Sequence, residues 1–222
     1  MNSNERITAP STLVTSKSYW LVPAGLIFLS LVPLAAGIVR LISLANGSEI
    51  TPDNARFFEA PLSIAIHIIS SLLFCVLGAF QFNTQFRIRK INWHRRAGRL
   101  LIVSGLAAAI SGLWMTHFYP LTPNFQHESL YYFRLLIGIG MVASILLSLK
   151  AILKKRIADH RAWIIRAYAI AQGAGTQFFI LTPAILLSTP NTLTISLLMI
   201  ASWVINLVVA EWIIRKANTR RG

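Results

Sequence analysis

The stretch LYYFRLLIGIGMVASILLSLKAILKKRIADHR, residues 130–161, decides the fold. From Leu130 to Ile152 its side chains are mainly apolar, with Arg134 and Lys150 as the ionisable exceptions. A helix of that length covers the roughly 30 Å of hydrocarbon in a bilayer, which needs about 20 residues. Directly after the run come Lys154, Lys155, Arg156 and Arg161. Lys and Arg gathered just outside an apolar span mark a loop held on the cytoplasmic side.

The same alternation extends in both directions and predicts six spans: Trp20 to Leu44, Pro61 to Phe82, Leu100 to Phe118, Leu130 to Ile152, Ala162 to Leu187 and Leu193 to Ile214. Breakers separate them, among them Gly47 and Pro52, Pro120 and Pro123, and Pro190 with Asn191. Composition agrees, since 55% of the chain is apolar and only 13% charged, against roughly 25% charged in an ordinary soluble domain. The fold class read from this pattern is all-α integral membrane, with a cytoplasmic arm over 1–19, a six-helix transmembrane domain over 20–215 and a basic tail over 216–222. The N-terminal arm lacks the short apolar core and small-residue cleavage site of a secretory signal, so the first helix reads as a retained anchor.

Orientation follows from where the cations sit. Lys and Arg number six between Arg87 and Arg99, five between Lys150 and Arg161, four from Arg215 onward and two in the N-terminal arm. The three alternate loops hold only Arg56. Every loop therefore agrees with both termini in the cytoplasm. The formal net charge of +14 does not suggest nucleic acid, because the cations form short blocks between apolar runs rather than one face of a soluble fold. The expected partners are the bilayer and its anionic headgroups on the cytoplasmic face.

An ionisable side chain inside a span costs about 2.5–3.5 kcal/mol on insertion scales, which makes each one a functional candidate. They sort into two layers. Toward the outer end lie Arg40, His67, His117 and Arg134, with Glu59 and Glu128 in the adjoining loops; toward the inner end lie His94, His160, Arg166 and Glu211. Arg166 and Glu211 fall at matching depth on the fifth and sixth helices, and an ion pair fixing the sixth helix is expected there. Neutral imidazole binds metals and haem iron, so His67, His94 and His160 are candidate cofactor-binding residues. The competing reading is a hydrogen bond inside the bundle for His67, and lipid phosphate for His94 and His160, which this reading places in interfacial loops. Arg134, Arg166 and Gln177 are candidate ligand-binding residues, the first with His67 at the outer end and the other two further in. The polar stretch Gln172 to Gln177 on the fifth helix reads first as close helix packing and second as a pocket wall.

Two further patterns bear on organisation. The loops ending His94-Arg95 and His160-Arg161 each follow an apolar hairpin and precede an apolar helix, which fits either an internal repeat or the general likeness of positive-inside loops. Cys75 stands alone in an apolar run, which removes intrachain disulfides and cysteine metal motifs. No phosphate-cradling glycine loop, nucleophile elbow or His-Glu-x-x-His helix occurs.

Several ordered motifs also carry a resemblance. His67, the run Leu77-Gly78-Ala79-Phe80-Gln81-Phe82, Phe86-Arg87-Ile88-Arg89, His94-Arg95 with Gly98-Arg99, Ser111-Gly112-Leu113-Trp114-Met115, and His160-Arg161-Ala162-Trp163 with Arg166-Ala167-Tyr168 resemble the bacterial membrane proteins of domain of unknown function 2306. The resemblance covers residues 61–187, which implies a core of helices two to five flanked by helices one and six, and a bacterial inner membrane as the location. It marks His67, His94, His160, Arg95, Arg99, Arg161 and Arg166 and gives no such role to His117, so His67 loses its nearest second ligand. Activity is not implied. The leading reading of the residues is a histidine-dependent redox protein carrying haem b or a metal; the alternatives are a carrier or binding protein for a small anionic or lipid-like ligand, and a scaffold subunit of a membrane complex. Whether the chain is an enzyme is left open with them.

Overall fold

In the computed structural model, which describes residues 20–120 and 127–219, long helices alternate with short ones. The elements are α1 (Leu21–Ala45), α2 (Ala55–Glu59), α3 (Pro61–Gln81), α4 (Thr84–Arg89), α5 (Ile91–Phe118), α6 (Glu128–Leu153), α7 (Ile157–Ala171), α8 (Gly173–Leu187) and α9 (Thr192–Thr219). Among the described residues there is no strand. Six helical stretches are long and apolar enough to cross a membrane, with α7 and α8 together forming one of them.

Two expected loops are helical. The cationic run that begins at Arg87 folds into α4 and the first turns of α5, so that His94 and Arg95 stand on a helix. His160 and Arg161 likewise stand in the first turns of α7. Hydropathy ends a span where charge begins, yet Lys and Arg are good helix formers whose long stems let a helix run on into the headgroup layer. The placement of His94 and His160 in loops is corrected accordingly. At the other end of the chain, α9 continues past Ile214 to Thr219 for the same reason.

The buried core draws on α3, α5, α6 and α7. Phe74, Leu101, Ala109, Ile137, Met141, Ile145, Ala167, Tyr168 and Ile170 form one contiguous cluster, against which Leu26 of α1 and Trp203 and Leu207 of α9 pack. Gly105 lets α5 pack tightly on its neighbours, since a Cβ there would meet Phe74 Cε2 at 2.6 Å and Ile145 Cδ1 at 2.9 Å. Large apolar side chains such as Phe28, Leu31 and Val39 of α1 and Val208 and Trp212 of α9 are exposed, as suits surfaces that face lipid.

The fifth span is broken at Gln172, between α7 and α8. A break at this depth frees carbonyls that lipid cannot satisfy, and α9 supplies the donors. Asn206 Nδ2 donates to Ala169 O at 3.2 Å and Trp203 Nε1 donates to Ile170 O at 3.2 Å. Thr176 Oγ1 donates to Asn206 Oδ1 at 2.8 Å, and Ser30 Oγ of α1 donates to Gln172 Oε1 at 3.0 Å. Beside the break, the Leu29 carbonyl of α1 lies against Gly175, where a side chain could not fit.

Candidate functional site

A partly open cavity of about 460 Å³ runs into the bundle from the end opposite the basic blocks. Arg56, Tyr119 and Arg134 line its mouth, His67 its middle, and Gln172 and Trp203 its floor, while most of the remaining wall is apolar. A largely apolar pocket with a few convergent polar groups is the usual form of a small-molecule site.

The mouth is built on α2, α5 and α6. The Tyr119 hydroxyl donates to Ala60 O at 2.8 Å, which pins the end of α5 to the turn between α2 and α3. Phe57 of α2 stacks edge-on to Tyr119 with ring centroids 5.6 Å apart. Arg40 of α1 and Arg56 lie over that same Phe57 ring, at 4.5 and 4.8 Å from its centroid. Burial, and then repulsion from Arg40, holds the Arg56 guanidinium below the ordinary arginine value, with Asp53 acting in the opposite sense. Burial also raises the Tyr119 phenol above its usual range, so it stays protonated as a donor. Arg134 enters from α6, half-buried and near enough to Arg56 to be repelled by it. Among the described residues its guanidinium makes no hydrogen bond and no ion pair.

His67 is oriented by α5. Its Nδ1 lies 2.9 Å from Ala108 O and 3.3 Å from Ser111 Oγ. A carbonyl can only accept, so Nδ1 carries the proton and Nε2 keeps its lone pair. Gly112 sits against the ring, 3.3 Å from Cε1 for a Cβ built there, and Ser111 Oγ is itself anchored to Ala107 O at 2.6 Å. The side chain is therefore a fixed acceptor in the wall of the cavity.

The other candidates fall elsewhere. His117 is exposed and pairs with Tyr131 OH at 3.0 Å. Gln177 lines the same cavity as His67 and Arg134 and donates to Met199 O at 3.3 Å. Arg166 is not brought to it. Its Nε and Nη2 meet the two carboxylate oxygens of Glu211 at 2.5 and 3.0 Å, and its guanidinium lies over Trp163 at 4.5 Å. His94 and His160 come into mutual reach at the basic end, and His160 Nδ1 lies 2.8 Å from Ser148 Oγ and 3.1 Å from Ser148 O. Among the described residues no three His, Cys, Asp or Glu side chains converge. Reading spans by hydropathy passes over Arg56, although it is the sole Lys or Arg in the three loops of its side, which is the available signal.

A family described as a predicted membrane protein, DUF2306, matches residues 64–214. The chain belongs to this family. The match begins in the first turn of α3 and ends near the close of α9, so it contains His67, Arg134 and Gln172 and leaves out α1 and Arg56 of α2. No curated protein and no solved structure matches the chain significantly.

Proposed function

We propose that this DUF2306 protein binds a small amphipathic anion in the cavity between α3, α5, α6 and α8. The observation that carries the reading is Arg134, a cation in a membrane-crossing helix with no counter-ion among the described residues, set in the wall of a cavity. A half-buried, unpaired charge is costly, and a ligand's acidic group at the mouth removes that cost. The apolar walls then take the ligand's hydrocarbon part, and His67 Nε2 accepts a hydrogen bond from a hydroxyl or amide on it. With the positive-inside pattern, the reading places both termini in the cytoplasm of a bacterium and opens the cavity to the periplasmic side of the inner membrane. The same pattern sets Arg87 to Arg99 against anionic headgroups of the inner leaflet. The domain boundaries follow the sequence reading, with an arm over 1–19 that lies outside the described residues, the helical domain over 20–215, and a basic tail over 216–222 whose first residues, to Thr219, continue α9.

Thermal unfolding of the detergent-purified protein with laurate, dodecyl phosphate and dodecanol tests this. The two anions are expected to raise the melting temperature by about 3–5 °C near saturation, dodecanol much less, and Arg134→Met removes the difference. Equal shifts for all three, or shifts that survive Arg134→Met, overturn the reading.

One observation favours a redox role as a second reading. A histidine whose Nδ1–H is held by a carbonyl while Nε2 faces a cavity is the arrangement of a metal-binding imidazole. Among the described residues His67 is the sole histidine lining the cavity, and Met115 and Met141 in the same wall are thioethers of the kind that can serve as a second axial ligand. The visible spectrum of the purified protein, oxidised and then reduced, decides. A reduced haem band lost in His67→Ala supports this second reading, and a featureless spectrum ends its haem form.

A further inference from the structure

At the basic end of the bundle, α3, α4 and α5 meet in a tight elbow, and three of its side-chain nitrogens are buried without a hydrogen-bond partner: Gln81 Nε2, Asn83 Nδ2 and His94 Nδ1. Buried polar groups are almost always satisfied, so three orphans within one corner call for a reason. Asn83 is fully buried, and its Oδ1 accepts from Phe86 N at 2.9 Å as the N-cap of α4. That cap fixes the orientation of the amide, which leaves Nδ2 as a donor on the other side. Gln81 closes α3 and His94 stands in the first turn of α5. The antiparallel pair α3 and α5 brings them level: His67 meets Ala108, Phe74 packs on Gly105, and nearer the elbow Phe80 and Phe86 pack edge-on to Trp93, the neighbour of His94, at 6.5 and 4.8 Å. Phe82 meets Tyr168 of α7 edge-on at 4.9 Å, and His160 in the first turn of α7 lies within electrostatic reach of His94.

The charge around the elbow is of one sign. Arg87, His160 and Arg95 are the groups within electrostatic reach of His94. Neither the Arg87 nor the Arg95 guanidinium makes a hydrogen bond or ion pair among the described residues. Asp159, the acid of this corner, is already held by Arg156 at 2.6 Å. Amide donors and an imidazole beside two arginines form a set that lacks acceptors and negative charge, both of which a phosphate oxyanion supplies.

We propose that this elbow is a phosphate-binding site, in which Gln81 Nε2, Asn83 Nδ2 and His94 take the oxygens of a phosphate group and Arg87 and Arg95 supply the opposing charge. The phosphate belongs either to a membrane lipid or to a soluble phosphate, and both present the same oxygens. The site is separate from the cavity at the other end of the bundle, and neither depends on the other.

The test is thermal unfolding of the full chain in detergent with phosphatidylglycerol, with sodium phosphate, and with sodium chloride at matched ionic strength, using wild type, Gln81→Met, His94→Leu and Arg95→Gln. In wild type at least one phosphate source is expected to raise the melting temperature by about 3–5 °C over chloride. The three variants lose most of that shift. Gln81→Met and His94→Leu also unfold at or above the wild-type temperature without phosphate, since each replaces an orphaned nitrogen with carbon. Arg95 is exposed, so Arg95→Gln folds whatever becomes of the buried variants. Stabilisation by phosphatidylglycerol alone assigns the site to a lipid headgroup. Stabilisation by sodium phosphate as well, or alone, assigns it to the phosphate group itself. The proposal is overturned if neither source stabilises wild type beyond chloride, or if the shift persists in Arg95→Gln and in the folded buried variants.

Discussion

Arg134 on α6 and Arg166 on α7 are both arginines inside membrane-crossing helices, and the protein treats them in opposite ways. Arg166 meets Glu211 through two parallel hydrogen bonds and lies over the Trp163 ring. Arg134 meets no acid and no acceptor among the described residues, and it faces a cavity with Arg56 beside it. The first arrangement uses a charge to dock α9 on α7. The second leaves a charge to be answered from outside. An ionisable residue in a span is thus not a single kind of signal, and its meaning lies in whether the fold provides the partner.

The contrast can be broken in order of expected effect. Glu211→Leu strands Arg166 and is expected to destabilise by about 1–2 kcal/mol, below the 3–5 of a fully buried pair because both side chains keep some solvent access. The double variant Arg166→Leu/Glu211→Leu should recover most of the loss, and a double variant no better than the single one would deny the pair its docking role. Trp163→Leu removes the ring under Arg166 and is expected to cost about 0.5–1 kcal/mol, read as a smaller drop in melting temperature. Arg134→Met should cause no loss of basal stability and should raise it, because nothing in the described fold depends on that charge and its half-burial without a partner is costly. A clear loss of ligand-free stability in Arg134→Met would mean that Arg134 has a structural partner after all, and the two arginines would then be alike.

The legibility of the two sites differs for a physical reason. His67, Arg134 and Gln177 were readable as candidates because charge, imidazole and amide are expensive in a dry span. That all three line one cavity was not readable, since it depends on the faces α3, α6 and α8 turn to one another. Arg166 was readable as a partner of Glu211 from depth alone. In the structure Arg166 stands on Glu211 and Gln177 in the cavity wall, and the break between them at Gln172 is covered by Asn206 and Trp203 from a different helix. His94 and His160 were assigned to loops by hydropathy, which registers transfer cost and not backbone hydrogen bonding.

What the sequence by itself determined was the all-helical, membrane-crossing character of the chain and its six spans, which follow from the length and order of apolar runs and cationic blocks along one dimension, and its family, which its ordered motifs carry by resemblance. Only the tertiary structure decided that the fifth span is broken, that Arg56 joins Arg134 at a cavity, and that Gln81, Asn83 and His94 share one elbow. Those facts depend on which helix faces meet. Facing is set by packing between segments as distant as Ser30 and Gln172, and no local pattern encodes it.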